Sequence, residues 1–251
     1  MSNLSDIGFP TPDEQAVNEM IMHVLEVAKP VKSSHGFYLI YTDSSGAEIY
    51  LQGNFNQELI GFNPHFAGTS RRTVVLTRAI ERDSSELDGG FHAWANPADE
   101  NVEISGEYPF VFEVPDFRAV EVAEFPQISE IQLTAFGSND FQVFAGEEDY
   151  QKAQESELNY ASKMFVPVGL IGFDSKNWDE HNPPRPIAKF AGEIKEFELK
   201  TNELSGEKFW WFLIETYGGD VDVVVDPKYV PAEPNTGGIV SGMFWLSGRI
   251  L

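Results

Sequence analysis

Four of the seven arginines, Arg71, Arg72, Arg78 and Arg82, fall within twelve residues, and His65 and His92 bracket them. Arginine offers a planar fork of donors that matches a carboxylate or phosphate. Arg71, Arg72, His65 and His92 are therefore a candidate site for a small anionic ligand, in a binding protein or an enzyme. The same stretch also reads as a strand over residues 73–82 whose arginines meet Glu81, Asp83 and Glu86 in surface ion pairs. Of the two readings the ion pairs are preferred.

Acidic side chains supply the other candidate chemistry. Asp220, Asp222 and Asp226 alternate with Val221, Val223 and Val225 along one strand. A strand face lacks the enclosing loop carbonyls that calcium favours, so these carboxylates read as a solvated acidic face. Asp179, Glu180 and His181 are types useful to a metal, but sequence neighbours rarely converge on one ion. With Trp178 they sit in a proline-rich stretch, 175–186, read as an ordered loop or lid. No phosphate-binding glycine loop, dinucleotide fingerprint, His-Glu-x-x-His helix or nucleophile elbow occurs. There is no cysteine, which excludes disulfides, thiolate metal sites and cysteine nucleophiles. The sequence thus assigns no catalytic residue, metal or cofactor and leans away from an enzyme.

The elements that must position any site are mainly strands. Residues 209–217, FWWFLIETY, are rich in aromatic and branched side chains that suit a pleated, packed surface. Alternate positions carry Trp210, Phe212 and Ile214 on one face and Phe209, Trp211, Leu213 and Tyr217 on the other. Each buried aromatic hides roughly 150–250 Å², so leaving either face bare would exceed the apolar patch a monomer usually shows. Something must cover the outer face. The N-terminal half or a second subunit is the simpler cover; a ligand or partner stacking on Phe209, Trp211 and Tyr217 is the sharper one.

Around this strand, residues 190–199 form its hairpin partner across a polar turn at 201–206, and Gly218 and Gly219 permit a tight reversal into 220–226. A wider loop leads to a last strand over 239–250. This run of strands resembles the oligonucleotide/oligosaccharide-binding (OB) barrel. The resemblance implies a binding surface on the second and third strands, flanked by the loops 201–206 and 230–238.

Towards the N-terminus, residues 7–10 read as a short strand. Thr11-Pro12-Asp13-Glu14 reads as a helix start, followed by apolar positions at helical spacing to Ala28 and a stop at Lys29-Pro30. Strands at 36–41, 47–52 and 58–62 make a meander. Residues 87–90 read as a turn, 108–114 and 131–136 as strands, 147–163 as a surface helix and 164–173 as a buried strand. The expected fold is α+β, mostly antiparallel β: an N-terminal helix-and-meander domain over 1–122 packed on a small OB-like barrel domain over 123–251.

The formal charge of −23 and pI near 4.4 bound the partners. Nucleic-acid binding is driven by Lys and Arg displacing counterions, whereas residues 189–228 carry nine acids against five lysines. A single-stranded nucleic-acid binder is accordingly the least favoured reading. No apolar run approaches a membrane span and residues 1–15 show no basic region followed by an apolar run, so a cytoplasmic protein without a membrane is expected. The leading expectation is a non-catalytic binding or assembly module, working through a protein partner or self-association.

Overall fold

The computed structural model describes residues 3–10, 13–83, 85–97, 106–122, 124–137, 139–154, 159–173 and 182–251. Trp178, Asp179, Glu180 and His181 lie outside them.

Ser5–Ile7 is a 3-10 turn, not a strand, and Gly8 closes it in the left-handed conformation, φ 79°. Helix α1 (Glu14–Val27) is capped by Asp13, whose carboxylate accepts from the Ala16 amide at 2.9 Å. The cap is thus Asp13; Thr11 lies outside the described residues. Met20 and Val24, one turn apart, are its buried stripe.

Four strands then form an antiparallel meander: β1 (Lys29–Ser33), β2 (Gly36–Thr42), β3 (Ala47–Gly53) and β4 (Leu59–Phe66). Lys29-Pro30 does more than stop the helix, since it opens β1. Proline is tolerated there because β1 is an edge, paired only to β2. Every residue of β3 is buried, so both its faces are covered. Ala47, Ile49 and Leu51 share an apolar cluster with Met20 and Val24, and the alternate Glu48 and Tyr50 meet Arg249 near the C-terminus.

The remaining strands are β5 (Arg72–Arg82), β6 (Ser85–Ala95), β7 (Pro109–Glu113), β8 (Gln127–Phe136), β9 (Gln142–Phe144), β10 (Met164–Val166), β11 (Ile187–Thr201), β12 (Lys208–Thr216), β13 (Gly219–Val225) and β14 (Ile239–Ile250), with helix α2 (Glu147–Ala153) between β9 and β10. Three expectations are corrected. The turn read at 87–90 is inside β6. Its glycines serve close packing instead, because a Cβ on Gly89 would sit 2.3 Å from the Phe117 ring and one on Gly90 would sit 2.1 Å from the Phe112 carbonyl oxygen. The helix read over 147–163 stops at Ala153, having buried only Tyr150. The strand read over 164–173 stops before Pro167, which cannot donate to a ladder, and gives way to a 3-10 turn at Val168–Leu170.

The strand pairing closes a ring. β11, β12 and β13 are consecutive antiparallel neighbours, and β13 runs parallel to β8 through Asp222–Val224 against Thr134–Phe136. β8 then pairs antiparallel with β14, and β14 with β11. The strand that completes this ring, β8, comes before the other four in the chain. β8 and β14 also belong to a second ring with β5, β6 and β7, whose closing contact is the parallel bridge Ser247↔Glu113. One apolar core fills both rings, joining Val74, Phe91 and Phe112 to Phe190, Phe212 and Phe244. Pairing of β5 with β8 therefore carries hydrogen bonds across residue 122, the division read from the sequence. The fold is α+β and mostly antiparallel β. Among the described residues no helix is long and apolar enough to cross a membrane.

Candidate functional site: the outer wall of β12 and β13

Two-residue periodicity sends Phe212 and Ile214 into the core shared by the rings and sends Phe209, Trp211 and Leu213 outward. The outward set is covered by the chain's own N-terminal segment and meander. Phe209 is 0% exposed and Trp211 7%, packed with Leu4, Ile7, Phe9, Phe66 and Val224. The Phe66 ring meets Phe209 edge-on at 5.9 Å and Trp211 at 6.3 Å. Tyr217, the third residue of the expected contact surface, stands beyond the strand end and is 52% exposed. Contact of Phe209 or Trp211 with a partner therefore requires part of this cover, of which residues 3–10 are a non-sheet portion, to leave.

That segment is held through main-chain atoms as well as side chains. The Asn202 side-chain amide donates to the Ile7 carbonyl at 2.9 Å and the Ser205 hydroxyl to the Gly8 carbonyl at 2.5 Å. Asn202 is itself fixed, because its side-chain oxygen accepts from the Leu204 and Ser205 amides at 3.0 and 3.1 Å, a turn that asparagine favours. Gly8 is required at its position: φ is positive, and a Cβ would lie 2.7 Å from that of Asn202. The Asp226 amide donates to Asp6 at 2.9 Å. Beside the segment lies an open cleft of about 450 Å³ bordered by Ser5, Pro10, Gly206, Glu207, Lys208 and Pro227.

Asp6 is the electrostatic weak point of this seat. Burial, reinforced by the Asp226 carboxylate and opposed by the Asp226 amide and Lys228, pushes its carboxyl up to about 7 from 3.8. A carboxyl whose folded value exceeds its unfolded one holds its proton more tightly when folded. Its contribution is complete below about pH 4 and is lost as pH rises through about 7. Asp6→Asn is therefore expected to be more stable than wild type at pH 8, by on the order of 3 kcal/mol, with the difference shrinking towards pH 4. Urea unfolding of both proteins across that range checks this, and parallel curves would refute it.

Beneath the wall runs a buried polar network. Asp222 is not a solvated acid. Its Oδ1 accepts from Trp211 Nε1 at 2.8 Å and the Thr69 amide at 3.0 Å, and its Oδ2 from the Ser70 amide at 2.9 Å and Gln132 Nε2 at 2.8 Å. Gly68 allows this approach, since a Cβ there would lie 2.0 Å from the Asp222 carboxyl carbon. Gln132 then presents its amide oxygen to His65 Nε2 at 3.0 Å, while His65 Nδ1 meets the Ser247 hydroxyl at 2.8 Å. Because an amide oxygen only accepts, His65 carries its proton on Nε2 and accepts from Ser247. Burial first, then the Arg249 charge, lowers His65 to about 3, so it stays neutral. Of the other two acids, Asp220 on β13 pairs with Lys195 and Asp226, just past the strand end, with Lys228.

The residues of the candidate anion site are dispersed. Arg72 is buried and donates from Nε to the Asp220 carbonyl, from Nη1 to Tyr108, and from Nη2 to Thr216 and the Gly219 carbonyl. It lies across from Ile131, whereas His65 bonds to Gln132, and neighbouring residues of a strand point to opposite faces. His92 lies opposite Arg78, six residues along β5 from Arg72 and so roughly 20 Å away. Burial and Arg78 lower His92 to about 4, and its Nδ1 meets the Thr77 hydroxyl at 2.6 Å. Arg71 is half exposed, 3.9 Å from Glu130. Arg82 and Arg118 pair with Glu113 and Glu81. Among the described residues no cluster of three His, Asp or Glu side chains has metal-binding geometry.

No family model, curated protein or solved structure matches the chain. The seat residues Asp6, Asn202, Ser205 and Asp226 are not evident from sequence spacing, because they come from three segments far apart in the chain. The one local signal is Asn202 itself, a turn-forming residue opening the loop between β11 and β12.

Proposed function

We propose that the chain is a non-catalytic binding or assembly module in which an OB-like barrel holds a short protein segment on its outer aromatic wall. The supporting observation is the docking of residues 3–10 on β12 and β13. Three apolar side chains enter the wall while loop side chains and an amide engage the segment's carbonyls and its acid, the mixture by which grooves take peptides. The position agrees with the resemblance, in which the second and third strands and a flanking loop carry the ligand. The strongly acidic composition favours a protein partner over a phosphate backbone.

The test is Ile7→Asp in the full chain, with Phe9→Ser as a milder companion. Each is expected to undock residues 3–10 with the barrel intact by circular dichroism, to shift tryptophan emission to the red, and to produce concentration-dependent association in light scattering. A folded variant with a bared wall that stays monomeric at all concentrations and binds no segment peptide would overturn the reading.

A further inference from the structure

We infer that residues 3–10 are a displaceable occupant, and that the wall takes in their place a partner segment of the form Leu-x-Asn-Ile-Gly-Phe, with an uncharged acceptor where this chain has Asp6. This rests on the reading of the wall as a protein-binding surface.

The cis segment fits in shape. Leu4, Ile7 and Phe9 are buried and Gly8 passes against Asn202 where no other residue fits. It does not fit in charge. Asp6 is buried beside the Asp226 carboxylate, with Lys228 as the compensating charge and Glu207 and Lys208 at the neighbouring cleft. Among the described residues its carboxyl accepts a hydrogen bond from the Asp226 amide, which an asparagine or serine oxygen accepts equally well without burying a charge. Above neutral pH the chain thus holds its own segment less firmly than the surface allows. A partner segment lacking that charge gains the same apolar contacts and the same amide hydrogen bond, and the open cleft beside Gly8 and Pro10 gives it a place to enter.

The test is fluorescence anisotropy of the wild-type full chain with labelled, N-acetylated peptides of residues 3–10 carrying either Asp or Asn at the position of Asp6. At pH 8 the Asn peptide is expected to bind about tenfold or more tightly than the Asp peptide, and the ratio is expected to narrow at pH 5. The Asp6→Asn full chain, which holds its own segment more firmly, is expected to bind the Asn peptide about tenfold less well than wild type. An Asn peptide that binds the Ile7→Asp or Phe9→Ser chain but not wild type overturns displacement and leaves the reading of the wall standing. A peptide that binds none of the folded chains overturns both. Equal affinity of the two peptides at pH 8 overturns the preference for an uncharged residue.

Discussion

Asp222→Ala is expected to destabilise the protein by about 4 kcal/mol or more, because four donors converge on that carboxylate in a fully buried place and each stranded donor costs about 1–3 kcal/mol. For a chain of this length that corresponds to a melting temperature lower by roughly 8–16 °C. Asp222→Asn separates shape from charge. It keeps the volume and one accepting oxygen but turns an amide group towards two of the donors, so about half the loss is expected. Thermal and urea unfolding measure both. An alanine variant within about 1 kcal/mol of wild type would show that the network is not a determinant of stability. The same carboxylate also positions the wall on which the proposed function rests, since Trp211 Nε1 is one of the four donors and the indole forms part of that wall.

Arg72→Ala is expected to cost about 3 kcal/mol, leaving the Asp220 and Gly219 carbonyls, Thr216 and Tyr108 without their shared donor. The guanidinium also lies over the Phe165 ring, 5.5 Å from its centroid. It clamps the reversal between β12 and β13, where Gly218 and Gly219 have φ of 89° and 118°. Arg72→Lys is expected to recover little, because one ammonium cannot span a fork of acceptors. Thermal shifts with inorganic phosphate or sulfate are expected to be the same for wild type and Arg72→Ala. A phosphate-dependent stabilisation present in wild type and lost in Arg72→Ala would favour the small-anion reading instead.

The limits of sequence reading follow the range of the forces involved. Alternation along residues 209–217 shows that both faces are apolar, and the area of the aromatic side chains requires a cover; both conclusions are local and both agree with the buried wall. The glycines of 87–90 are locally indistinguishable from a turn, and only the Phe112 backbone and the Phe117 ring pressing on them explain their place inside β6. Asp222 has the same sequence signature as Asp220 and Asp226. Its burial depends on Thr69 and Ser70, more than 150 residues away.

By itself the sequence determined the class of the fold, the strong strands, the acidic composition and the need to cover an aromatic face. These depend on side-chain volume, alternation and charge, which are properties of neighbours. The tertiary structure decided which acids are buried, where the arginine donors point, that β8 closes the ring ahead of its partners in the chain, and that residues 3–10 and the meander together supply the cover. Each of those is a choice among contacts between distant segments, and such choices depend on packing and hydrogen-bond satisfaction summed over the whole molecule.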